Sequence, residues 1–115
     1  MSRDKLYLEH ILGCIGRIEE YSAAGRDIFL ANTLVQDGIL RNLQIPAESA
    51  GRISESTREL APQIAWQQMR GFRNILVHDY LGIDMQFVWE IVRDDLPALR
   101  KQAGKLLVLL AASEL

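Results

Sequence analysis

The chain has 115 residues, of which 49% are hydrophobic and 24% charged, with a formal net charge of −2. That length and balance fit one compact domain over residues 1–115 and exclude a disordered chain. A single cysteine rules out an internal disulfide and a cysteine-built metal cluster, and a sequence pI near 5.6 is the wrong sign for a general phosphate binder.

Met1 to Lys5 leads directly into an amphipathic pattern rather than an apolar signal segment. Leu8, Ile11, Leu12, Ile15 and Ile18 recur at steps of three and four, which predicts a helix over 4–22. Gly13 and Gly16 within it offer close approach to another helix, and Cys14 among apolar neighbours reads as a reduced, buried thiol. Ser22 to Arg26 is a break. A second helical stretch is expected from about Asp27 to Leu60, its apolar stripe being Phe29, Leu34, Val35, Ile39, Leu40 and Leu43. Pro46 lacks an N–H and crowds the carbonyl four residues back, so a kink or short break is predicted there.

After the Pro62 connection, Trp66, Met69, Phe72 and Leu76 give a third helix ending near 78–82. Asp84 is a suitable N-cap for a short helix from Met85 to Val92. Asp94 or Asp95 would cap the last helix, with Pro97 in its first turn and Leu99, Leu106, Leu109 and Leu110 on its inner face. The sum is an all-α, antiparallel bundle of four to five helices. The longest apolar run, Leu106 to Ala112, is far below the roughly 20 residues of a membrane span, so a cytoplasmic protein without a membrane partner is expected.

Charge is unevenly placed. Residues 38–78 carry five arginines against three glutamates, whereas residues 79–95 carry five acids against one arginine. Any contact with a nucleic acid would therefore fall to the middle segment, although a solvated helix face gives the same pattern.

Chemistry concentrates in residues 70–84, RGFRNILVHDYLGID. Imidazole exchanges a proton near neutral pH, and guanidinium holds phosphate and offsets developing negative charge. Arg73 and His78, separated by four intervening residues, thus suit metal-free RNA cleavage in which a ribose 2′-hydroxyl attacks the adjacent phosphate. The loose spacing is unspecific, because Arg3 and His10 satisfy a similar rule. Two histidines 68 positions apart and no cysteine pair give little to coordinate zinc. No cofactor is called for, and the absence of a glycine-rich phosphate loop argues against a nucleotidyltransferase.

The full pattern Arg73-Asn74-x-x-Val77-His78-Asp79-Tyr80 resembles the Arg-x4-His-x-Tyr signature of HepT, the toxin half of the HepT–MntA toxin–antitoxin pairs in the HEPN superfamily. Similarity extends through Phe29-Leu30, Gln36-Asp37, Arg41-Asn42-Leu43, Glu48, the Pro62-x-Ile64-x-Trp66 lead-in, Gly71, Gly82, Asp84, Val88-Trp89-Glu90 and Asp95-Leu96-Pro97. Pro46-Ala47-Glu48-Ser49 departs from the usual Ile-Gly-Glu-Ala, and Arg70 stands where a small residue is usual, which bears on groove shape and substrate choice.

The resemblance implies a homodimer with the motif at a composite cleft, RNA as substrate, and a nucleotidyltransferase antitoxin that transfers AMP to Tyr80, in an assembly that can exceed a dimer; DNA is not an expected partner. Arg73 would hold the scissile phosphate, or else pair with Glu48 or an aspartate. His78 would be general base or acid, and Asn74 would orient it or make a helix-end hydrogen bond. Glu48 and Arg41 would support the groove. Tyr80 is the AMP acceptor or an ordinary amphipathic helix-end residue, and Asp79 a solvated or capping one. Trp66 and Trp89 are expected in the core or an interface, and His10 on an exposed helical face.

Geometry adds one constraint. At about 100° per residue, Arg73 and His78 point roughly 140° apart on a straight helix, whereas Asn74 and His78 share a face. Either the helix unwinds near His78, or two subunits complete the site. The leading reading is a metal-independent endoribonuclease toxin. The alternatives are a non-catalytic HEPN module that binds a nucleotide or docks a nucleotidyltransferase, and a plain helical dimerisation protein.

Overall fold

The computed structural model describes residues 2–78 and 82–113, without the side chains of Ser2, Ile75, Val77 and His78. Helix α1 (Ser2–Tyr21) is followed by α2 (Arg26–Ala31), α3 (Thr33–Ala50), α4 (Glu55–Glu59), α5 (Trp66–His78), α6 (Met85–Glu90), a π-helical turn at Ile91–Asp95, and α7 (Leu96–Ser113). No strand occurs among the described residues, so the all-α expectation holds.

Each start has a local cause. Gly25, at φ 96°, takes a conformation that side chains resist and turns the chain between α1 and α2. The Asn32 side chain caps α3 by accepting from Val35 N, and Ser54 caps α4 by accepting from Thr57 N. Asp84 accepts from Gln86 N at 2.9 Å, as its sequence position predicts.

The stretch 27–60 is not one helix kinked at Pro46. Helix α3 continues through Pro46 to Ala50, and the breaks fall at the Asn32 cap and at 51–54. Proline removes one hydrogen bond, but Leu43, Pro46 and Ala47 lie in the packed interior, and that burial holds the helix on. Nor do Asp94 or Asp95 start a new helix. The π turn joins α6 to α7, Pro97 is the second residue of α7, and Asp94 accepts from Arg93 instead.

A hydrophobic cluster draws Leu8, Ile11, Ile15 and Ile18 from α1, Phe29 from α2, Ile39 and Leu43 from α3, Leu76 from α5, Val88 from α6, and Leu96, Ala103, Leu106 and Leu110 from α7. Helix α1 packs chiefly on α3 and then on α7, while α3 also carries α5. The Phe29 and Trp89 rings meet at 5.5 Å between centroids, which locks α2 to α6. Two stripe assignments fail: Leu34 is 80% exposed and Leu109 is 54% exposed. Both lie just off the buried line of their helices, where a pattern of leucines alone does not resolve the face. Gly13 and Gly16 face open space; the tight glycine is Gly38, whose added Cβ would lie 3.3 Å from the Tyr21 ring. Cys14 is buried as expected, 3.4 Å from an Arg17 guanidinium nitrogen.

Candidate functional site on α5

The motif helix is set in place by its lead-in. Ala61 and Ile64 are buried in the cluster, and the half-buried Trp66 donates its indole N–H to the Ala61 carbonyl at 3.1 Å. Trp66 N also donates to Ile64 O at 2.8 Å. The Pro-x-Ile-x-Trp pattern is therefore a device that fixes where α5 begins. Along α5, Met69, Phe72 and Leu76 face inward at steps of three and four, and Phe72 meets Phe87 of α6 at 6.5 Å between ring centroids.

The opposite face carries Gln67, Arg70, Arg73 and Asn74, all exposed. Among the described residues, no carboxylate forms an ion pair with Arg70 or Arg73. The alternative in which Arg73 is held by Glu48 is not what the structure shows: half-buried Glu48 accepts from Gln44 Nε2 at 3.2 Å, one turn earlier on α3. Arg41 is exposed on the same helix, and His10 is exposed on α1.

Helix α5 remains α-helical up to His78, its last residue. Unwinding before His78 is therefore absent, and the ideal separation of roughly 140° between positions 73 and 78 stands. The side chain of His78, and Asp79 and Tyr80 altogether, lie outside the described residues.

Beside the inward face runs a cavity of about 660 Å³ between α3, α5 and the α6–α7 continuation. Leu43, Pro46, Met69, Phe72 and Leu99 line it, with Asp94 and Asp95 in its wall and no lysine or arginine among the lining residues described. Apolar walls and carboxylates repel a phosphodiester rather than hold it. Nothing in the sequence patterning pointed to this cavity, because it arises where three separate helices diverge. Among the described residues, no three His, Cys, Asp or Glu side chains converge, and no helix is long and apolar enough to cross a membrane.

Comparison with known proteins adds an independent result. The ribonuclease HepT-like family model matches residues 11–106. A "Probable ribonuclease HepT" of Thermococcus cleftensis is 35% identical over 106 residues, covering 89% of this chain and 94% of that protein. A "Putative RNase" of Methanocaldococcus jannaschii is 34% identical over 102 residues, covering 85% of this chain and 91% of that protein. A second M. jannaschii protein, "Gamma-glutamylcyclotransferase and putative RNase", is 34% identical over 104 residues; the match takes in 90% of this chain but 47% of that longer protein. No solved structure matches the chain.

Proposed function

The chain belongs to the ribonuclease HepT-like family and is by class a ribonuclease, and from that premise we propose that it is a metal-independent endoribonuclease toxin acting through Arg73 and His78. The observation that carries this reading is the exposed Arg73–Asn74 pair on a helix that continues to His78, with no carboxylate among the described residues neutralising the guanidinium.

In this reading Arg73 binds the scissile phosphate and stabilises the charge that builds on its oxygens. His78 removes the proton from the ribose 2′-hydroxyl; the 2′-oxygen bonds to phosphorus while the bond to the 5′-oxygen breaks, and that oxygen takes up a proton. The products are a 2′,3′-cyclic phosphate and a 5′-hydroxyl. Asn74, on the face of His78, orients the imidazole or the phosphate. The roughly 140° separation on an unbroken helix supports a two-fold homodimer in which each groove takes groups from both subunits. Arg41 and Glu48 of α3 would support that groove.

Control is proposed to come from an MntA-like nucleotidyltransferase that transfers AMP to Tyr80. A bulky anion two residues beyond His78 would occupy the position of an RNA phosphate and repel the backbone. The test is expression in cells with and without a cognate nucleotidyltransferase. Wild type should arrest growth and His78→Ala should not; Tyr80→Phe should arrest growth and escape neutralisation. Equal toxicity of His78→Ala overturns the catalytic reading in favour of a non-catalytic HEPN module. Full neutralisation of Tyr80→Phe, with no adenylate mass on its peptide, overturns AMP transfer.

A further inference from the structure

Arg70 has no assigned role, yet it sits in the middle of the exposed face of α5. It is three residues before Arg73 and four before Asn74, which places all three on neighbouring positions of one surface. On an ideal helix Arg70 lies about 60° from Arg73 and about 80° from position 78, inside the wide angle that separates those two. Arg70 and Arg73 are about 4.5 Å apart along the helix axis, and both have long, mobile side chains.

Two further observations bear on what this position can bind. No carboxylate among the described residues pairs with Arg70, so its charge is not spent on the fold. The residue that follows, Gly71, is exposed, and a Cβ built there would have no atom within 4 Å. On an ideal helix Gly71 lies about 100° from Arg70 and about 160° from Arg73, on the side of the cavity it lines, so that position does not crowd the surface shared by the two arginines. The acidic wall at Asp94 and Asp95 lies on the other side of α5, against its inward face.

We infer that Arg70 is a second phosphate-binding position, holding the phosphodiester adjacent to the scissile one and setting affinity for the RNA strand rather than the rate of the chemical step. This rests on the ribonuclease reading for the identity of the strand. It predicts a division of labour: Arg73 acts on the phosphate whose charge changes, and Arg70 on one whose charge does not. A contact of the second kind binds ground state and transition state equally, so it moves KM and not kcat.

The experiment measures binding of a fluorescent, fully 2′-O-methylated oligoribonucleotide, which lacks the attacking hydroxyl, by anisotropy across a salt series. Cleavage of the unmodified strand is followed in parallel. Arg70→Gln should weaken binding several-fold, reduce the slope of log Kd against log salt by about 0.7, raise KM and leave kcat unchanged. Arg70→Lys, which keeps the charge, should recover most of the slope. Unchanged affinity and slope in Arg70→Gln overturns the inference, as does a fall in kcat with KM constant. If wild type binds the methylated strand with salt dependence but cuts nothing, the catalytic reading fails while the Arg70 contact stands or falls on its own slope. If wild type shows no salt-dependent binding, the inference fails outright.

Discussion

Two polar clusters at different places in the molecule have opposite designs. Near the start of α1, Asp4 is only 4% exposed and fully engaged: it accepts from Ser54 N at 3.0 Å, Ser54 Oγ at 2.6 Å and Thr57 Oγ1 at 2.6 Å. On α5, Arg70, Arg73 and Asn74 are exposed, and no ion pair holds either arginine among the described residues. The first cluster ties α1 to the cap of α4, and every group in it is satisfied internally. The second leaves its hydrogen-bonding capacity to solvent or to a ligand. Polar groups that build a fold are paired within it, and those that serve a substrate are held out in the open.

Mutation should separate the two clusters, and the largest effect belongs to the open one. Arg73→Ala should reduce RNA cleavage by about 100- to 1,000-fold, the usual consequence of losing a group that stabilises charge in the transition state. Its melting temperature should match wild type, because Arg73 has no ion-pair partner among the described residues. Cleavage by wild type should persist in chelator. Substantial unfolding of Arg73→Ala would show that this arginine belongs with the structural cluster after all, and dependence on added magnesium would break the proposed mechanism.

The closed cluster should show the converse. Asp4→Ala strands the Ser54 N–H and the Thr57 hydroxyl without their acceptor, at a cost of about 1–3 kcal/mol for a buried group left unpaired. Catalysis by the folded fraction should be unaffected. The effect carries a pH signature. Burial by itself would raise the Asp4 carboxyl, but hydrogen bonds from Ser54 and Thr57 outweigh it and hold the group below its ordinary value of 3.8. In the window between the folded and unfolded values the unfolded chain binds more protons, so stability rises with pH there. The contribution is complete above the unfolded value and is lost as pH falls through the folded one. Thermal denaturation should show a constant gap between wild type and Asp4→Ala from pH 5 to 8, narrowing in stronger acid. A gap that narrows near neutral pH would contradict this assignment.

The contrast also explains what could be read from the sequence. Helices α1 and α5 were legible because their buried residues repeat at helical spacing and their ends carry local signals, Gly25 after α1 and Pro62 before α5. Arg73 on the open face was singled out because the residues that surround it match a known family signature, whereas Arg70 departs from that signature and drew no role from it. Asp4 was not, since its partners are 50 and 53 positions away and no spacing rule connects a first-turn aspartate to Ser54 and Thr57. The course of α3 through Pro46 and the joining of α6 to α7 were missed for a related reason. Proline signals a local helix break and a capping aspartate a fresh helix start, and here burial of Leu43, Ala47, Val92 and Leu96 on either side overrides both.

The smallest effect is expected where a polar contact resembles the closed cluster in distance but the open one in exposure. Arg93 donates to Asp94 at 2.7 and 2.8 Å, yet both side chains are 55% exposed and the residues are sequence neighbours. The hydrogen bond from Arg93 lowers the Asp94 carboxyl and raises the guanidinium in turn. Water and salt screen such a pair, and holding two long side chains in one geometry costs entropy that offsets the attraction. The π turn on which they sit has a separate anchor: Val92 is buried within it, and Val88 and Leu96 are buried on either side. Arg93→Gln should therefore leave the melting temperature unchanged within error at both low and high salt, and should leave RNA binding untouched because the residue is not on the exposed face of α5. A lowered melting temperature at low salt that recovers when salt is added to wild type and variant alike would show the ion pair, rather than the buried valines and leucine, to be what fixes the turn.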